Sequence, residues 1–338
     1  MSKDKTHATI APGTQGGGCA KYNREVFMRN RLRALIGVAA LLTCFAFLSR
    51  VDEAQSSATK HQQAVLVTGA STGIGRKITE RLAADGYFVY AGARKEADLK
   101  ALGALPNVQP VRLDVTNLQD IDAAVATIAK GGRGLYGLVN NAGVVTVAPV
   151  IDMKMEEFDV VMAVNVFGPW RITRAFAPLI IASRGRIANV GSINGIYTSP
   201  QSSAYSMSKH AIEAFTDGLA QEMNPLGVKV AIIEPGGYKS DIFKNEIQRS
   251  GTGAGLAEMA SREKDPDEVA AATEQALFEP NPKRRYMVVP NQDQAQMTIK
   301  AQIEQLVQLN EGQRYTYDRQ TLVKMLDDAL AQARPRTQ

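Results

Sequence analysis

From Gln63 onward, short runs of β-branched and aliphatic residues alternate with longer stretches of helical periodicity. Ala64–Val67 reads as a strand, followed by glycine-rich 68–75 and a helix through Ala84. Further strands are predicted over 87–91, 108–113, 135–139, Arg186–Val190 and 228–233, with a seventh over 286–289. Helices are predicted between them, including 155–182, 203–223 and 265–278. The last has Asp265 as its cap and Pro266 at its first position. Strict alternation of strand and helix implies an α/β fold, with a parallel sheet covered on both faces. Residues 291–338, rich in Gln and charge, predict a helical extension beyond the alternating body at 63–290.

At 338 residues the chain can hold one large domain or two modest ones, and its 45% hydrophobic and 22% charged residues are ordinary for a globular protein. The net charge of +5 is confined to residues 1–60, which carry nine Lys/Arg against four Asp/Glu. The remainder is balanced, so the body has no basic excess for nucleic acid. Cys19 and Cys44 both precede the body, which leaves it no internal disulfide and no thiolate metal site. His7, His61 and His210 are too scattered to suggest a metal cluster. The chemistry must come from a bound cofactor and from hydroxyl, amide or ammonium side chains.

Residues 28–62 form an apolar leader and linker. From Ala34 to Ser49, sixteen residues carry no charge, with Arg29, Arg31 and Arg33 before them and Arg50, Asp52 and Glu53 after. A membrane-spanning helix needs roughly 17–25 apolar residues. Three readings stand: a membrane anchor, a signal peptide cleaved near Ala54-Gln55-Ser56 with export, or an extra helix of a cytoplasmic protein. Residues 1–27, with Gly16-Gly17-Gly18, read as disordered, and Met28 is an alternative start.

Thr68-Gly69-Ala70-Ser71-Thr72-Gly73-Ile74-Gly75 follows the first strand and opens the first helix. Glycines there permit a tight turn and close approach to a pyrophosphate, which the helix N-terminus attracts. This Thr-Gly-x-x-x-Gly-Ile-Gly pattern resembles the short-chain dehydrogenase/reductases, and the resemblance extends to about Pro290. It implies a Rossmann-type, doubly wound, seven-stranded sheet, with Gly69, Ser71, Gly73, Ile74 and Gly75 at the cofactor. The second strand leads into Ala93-Arg94, where an acidic residue would select NAD. Arg94 instead suits a 2′-phosphate, so NADP is favoured over NAD. By the same resemblance Asp114 and Val115 face the adenine, while Asn141, Ala142 and Gly143 line the adenosine side. Each can also be simply a turn or cap residue.

Tyr205 and Lys209 are four apart on a predicted helix and share a face. A phenol of reference pKa about 10 needs a nearby ammonium to act as a base near neutrality. Ser192, thirteen residues before Tyr205, matches the family's substrate-binding serine. Mid-helix Asn165 matches the asparagine that holds a water linking Lys209 to solvent. Tyr205 and Lys209 are also expected at the cofactor, with Pro235, Gly236 and Ser240 at the nicotinamide; Ser240 stands for the family's usual Thr, and Tyr238 for a small aliphatic residue. No metal is implied. The resemblance implies a substrate lid at 237–264, where Ile242, Phe243, Ile247, Leu256 and Met259 either line a lipid-binding pocket or pack the lid on the body. Tyr90-Ala91-Gly92-Ala93-Arg94 and Glu234-Pro235-Gly236 are similar to the steroid and retinol branch. The implied activity is hydride transfer between NADP(H) and a hydrophobic alcohol or ketone. Alternatives are reduction of a small ketone or acyl-carrier thioester, epimerase or dehydratase chemistry, and a silent NADP-binding module. The family pairs through its long helices, here 155–182 and 203–223, which implies a homodimer or homotetramer.

Overall fold

A computed structural model describes residues 63–251, 258 and 262–333. The expectations for residues 1–62, and for Leu256 and Met259 of the lid, lie outside the described residues. Seven strands form one parallel sheet: β1 (Ala64–Val67), β2 (Phe88–Ala93), β3 (Val108–Arg112), β4 (Gly137–Asn140), β5 (Arg186–Val190), β6 (Lys229–Pro235) and β7 (Arg285–Val288). The helices are α1 (Gly73–Ala84), α2 (Glu96–Gly103), α3 (Leu118–Lys130), α4 (Met155–Asn165), α5 (Phe167–Ala182), α6 (Ser203–Met223), α7 (Ile242–Ser250), α8 (Asp267–Phe278), α9 (Gln292–Asn310) and α10 (Arg319–Ala333). This is the expected doubly wound, Rossmann-type α/β architecture, with α9 and α10 as its helical extension.

Side chains of successive strand residues point to opposite faces, and β1 shows the consequence. Ala64 and Leu66 join Tyr90, Leu138, Ile172 and Phe176 under α3, α5 and α6. Val65 and Val67 join Ile78, Leu82 and Leu277 under α1 and α8. Each large apolar side chain buried this way contributes about 1.5–3 kcal/mol, and the two cores hold the sheet rigid. The strand order is β3-β2-β1-β4-β5-β6-β7. The chain therefore builds outward from β1 to β3, then returns to lay β4 on the other side of β1. That reversal opens a crevice at the carboxyl ends of β1 and β4, where a ligand can enter between diverging loops.

Two helix expectations need correction. The predicted helix over 155–182 is two helices, broken after Asn165. Proline has no N–H, so Pro169 cannot bond the Asn165 carbonyl, and the helical ladder stops there. Asn165 is thus the last residue of α4 rather than a mid-helix residue. The predicted cap Asp265 also fails: α8 starts at Asp267 after Pro266, and Asp265 lies 3.6 Å from Lys239 Nζ instead. Among the described residues no helix is long and apolar enough to cross a membrane.

Candidate active site

Loops leaving the carboxyl ends of six strands line one cavity of about 550 Å³. At its β1 end, Gly69 and Gly73 have φ of +65° and +55°, left-handed conformations that favour glycine. A Cβ on Gly69 would stand 2.8 Å from Ala142 Cα, and one on Gly75 would overlap the Gly69 carbonyl and the Asn141 amide. The Thr72 side chain does not cap α1, so the first amides of that helix remain available to an anion. This cradle fits a dinucleotide pyrophosphate. Ser71, Ile74 and Gly143 also line it.

The crevice is tied shut beneath the cradle. Thr68 Oγ1 accepts hydrogen bonds from the N–H groups of Asn141 and Ala142, both at 3.0 Å. Asn141 Nδ2 donates to the carbonyls of Thr68 and Gly69 at 2.9 and 3.1 Å. At the β2 end Arg94 is exposed, with Nη1 3.6 Å from Asp114 Oδ2. Burial raises the Asp114 carboxyl, but hydrogen bonds from Thr116 and the Arg94 charge outweigh it and hold the group below its usual range. Val115 lines the cavity beside them.

The other end holds the reactive side chains. Gly191 N–H bonds the Ile233 carbonyl at 2.7 Å, and Ser192 follows into the cavity. Tyr205, near the start of α6, lines the same cavity as Ser192, and Lys209 Nζ lies 5.6 Å from the centre of its ring. One turn later Lys209 is buried, and its Nζ donates to the Val190 carbonyl at 2.9 Å. Pro235, Gly236 and Ser240 close the cavity from β6. Asn165 stands behind the wall: Oδ1 accepts from Val144 N–H, and Nδ2 donates to the Val144 carbonyl, both at 2.8 Å. Nδ2 also donates to Ser208 Oγ at 3.0 Å. Asn165 thus clamps the loop after β4 as well as standing near Lys209's helix.

Burial pushes the Tyr205 phenol up to about 12; the Ser192 side chain pulls it down and Tyr197 adds to the rise. Burial lowers Lys209 to about 8, opposed by the charge of Glu213. Near neutral pH the arrangement is a neutral phenol next to a charged ammonium.

The sequence did not mark several participants. Thr68, the strap between β1 and β4, looked like part of the glycine turn. Helix α9 also reaches the site: Gln294 Oε1 accepts from Gly237 N–H at 2.8 Å, and Met297 lines the cavity. Gln302 and Gln305 donate from Nε2 to the Ile196 carbonyl at 3.5 and 3.3 Å. α9 therefore runs from the turn after β6 to the loop beyond Ser192. Val145, Ile193, Tyr197 and Met297 line the cavity together with the polar Asn194, Ser199, Ser202 and Gln294. Ile242 and Phe243, at the start of α7, line the cavity too. Tyr238 keeps its hydroxyl out of the chemistry by donating to Glu268 Oε2 at 2.5 Å.

The family model for short chain dehydrogenase matches residues 63–251. The chain is 38% identical over 186 residues to the mitochondrial D-beta-hydroxybutyrate dehydrogenase of Mus musculus, covering 52% of this chain and 54% of that protein. It thus spans about half the length of that curated relative. It is 36% identical over 220 residues to retinol dehydrogenase 7 of Rattus norvegicus, covering 64% of this chain and 67% of that protein. Among solved structures it is similar to the closed form of serine dehydrogenase complexed with NADP+, with TM-score 0.62, 26% identity, and coverage of 67% of this chain and 94% of that one.

Proposed function

The chain belongs to the short-chain dehydrogenase family, and on that premise we propose that it moves a hydride between NADP(H) and the carbinol or carbonyl carbon of an apolar, lipid-like substrate. The observation that carries this reading is the meeting of Ser192, Tyr205 and the buried ammonium of Lys209, one helical turn from Tyr205, in the same cavity as the glycine cradle. The nicotinamide, when bound, supplies or takes up the hydride. In carbonyl reduction the Tyr205 hydroxyl gives its proton to the substrate oxygen, and Ser192 O–H holds that oxygen in place. Lys209 stabilises the phenolate left behind, which burial alone strongly disfavours. Alcohol oxidation runs the same steps in reverse.

Arg94, with no acidic residue in the turn after β2, supports NADP over NAD; the NADP+ in the serine dehydrogenase complex is in keeping with this. The apolar side chains of Val145, Ile193, Phe243 and Met297 in the cavity lining and the likeness to a retinol dehydrogenase support a steroid- or retinoid-sized substrate. Pairing through α5 and α6 belongs to the same proposal, supported by exposed Phe167, Trp170 and Met207, and membrane association through residues 34–49 goes with it. The test is NADPH consumption by the full chain against medium-chain, steroid and retinoid carbonyls. Turnover with the larger apolar ketones is expected. Cofactor binding without turnover of any carbonyl would contradict the proposal and favour a silent binding module.

A further inference from the structure

On α6 the residues Tyr205, Lys209 and Glu213 follow one another at four-residue steps and share a face. Glu213 takes no part in the proposed hydride chemistry, yet it is only 9% exposed. A carboxyl group so placed loses its hydration and needs partners. Arg285, at the start of β7, provides them: Nη1 meets Glu213 Oε2 and, at 2.8 Å, Glu234 Oε1 of β6. Its Nη2 lies 2.6 Å from Asp217 Oδ2, one turn further along α6. Three carboxyl groups thus share one guanidinium. Burial and the charge of Glu234 together raise the Glu213 carboxyl to about 8, against relief from Arg285.

Among the described residues Glu213 Oε1 has no hydrogen-bond partner, and it faces the turn that carries Ser192. A Cβ on Gly195 would stand 2.9 Å from it, and one on Gly191 3.1 Å. The two glycines bracket Ser192, and their bare backbone is what admits the carboxyl group. The same group adjoins Lys209 along the helix and favours its charged form. Resting on the dehydrogenase reading above, we infer that Glu213, gripped by Arg285, is a positioning residue that backs the Ser192 turn and lets Lys209 keep its ammonium as the medium turns alkaline. The negative charge of Glu213 offsets part of what burial takes from the Lys209 ammonium, which therefore persists to a higher pH than it would beside a neutral side chain. The charged and titratable groups around it are Lys209 and Asp217 on α6, Glu234 on β6 and Arg285 on β7; the turn from Gly191 to Gly195 adds none.

The test reads Lys209 directly, without turnover. Protein labelled at lysine Cε with carbon-13 gives an NMR signal for each ammonium, and Lys209→Arg assigns the one concerned. Glu213→Gln is expected to lower the Lys209 midpoint by at least about half a pH unit, and to draw the alkaline limb of the kcat profile down with it. Glu213→Asp, which keeps the carboxyl group, is expected to restore part of the shift. Should Glu213→Gln fail to fold, Arg285→Lys, which loses the two-pronged grip, is expected to shift the midpoint in the same direction. An unchanged Lys209 midpoint overturns the inference whatever the activity, as does a rate loss equal at every pH. A shifted midpoint in a protein whose wild type turns over no carbonyl overturns the dehydrogenase reading and leaves the Glu213–Lys209 coupling standing.

Discussion

Replacing Asn165 by Leu separates a structural clamp from a solvent-linking role. The side chain is 2% exposed and makes three hydrogen bonds, two of them to Val144. Ser208 retains a partner without it, since its hydroxyl donates to the Tyr205 carbonyl at 2.6 Å. The Val144 N–H and carbonyl lose their bonds, at a cost of about 1–3 kcal/mol each. Leucine fills a similar volume and offsets a small part. The net loss is then about 2–5 kcal/mol, a fall in Tm of roughly 5–15 °C for a domain of this size. Val144 directly follows Gly143 at the cavity, so NADP affinity is expected to fall with stability. Thermal melts followed by circular dichroism, paired with cofactor titrations, read both. A Tm within about 1 °C of wild type would refute this reasoning. Loss of rate at unchanged Tm would leave Asn165 with the water-holding role that the family resemblance implies.

Gly75→Ala places a methyl group against the Gly69 carbonyl and the Asn141 amide, so cofactor affinity measured by fluorescence titration is expected to drop by about tenfold or more, overpacking of this kind costing about 1–3 kcal/mol. Wild-type affinity would show that the cradle does not hold the pyrophosphate. Arg94→Ala is expected to weaken NADPH binding by about 10–100-fold, the worth of a charge-assisted hydrogen bond, and to leave NADH nearly unchanged. Equal losses for both cofactors would show that Arg94 does not read the 2′-phosphate. Burial sets Lys209 at about 8, so the ammonium is present below that pH and lost above it. The kcat for carbonyl reduction is therefore expected to fall as pH rises through about 8, and a profile flat across that range would contradict the role given to Lys209.

Much of the fold was legible because its periodicities are local. The strand of Ala64–Val67 and the helix of Ser203–Met223 follow from residues within their own spans. The break at Asn165 was not, because it depends on the missing N–H of Pro169, four residues ahead, competing with an otherwise continuous apolar pattern. Candidate site residues were legible where they sit in motifs at strand ends. Thr68 sits in the glycine motif with nothing to mark its role as a strap, and Glu213 and Gln294 lie in no motif. Each matters through a partner far along the chain, Asn141, Arg285 or Gly237, and only the packed sheet brings those together. Glu213 did leave one trace, an acidic residue a turn beyond Lys209 on the buried face of α6.

The measurement that bears most directly on the central claim compares wild type with Tyr205→Phe, in NADPH consumption with an apolar ketone and in NADPH affinity. Removing only the phenolic oxygen is expected to cut kcat by about 10²–10⁴-fold while cofactor affinity and Tm stay close to wild type. Full activity in Tyr205→Phe would contradict the account, because the proton would then have to come from another group.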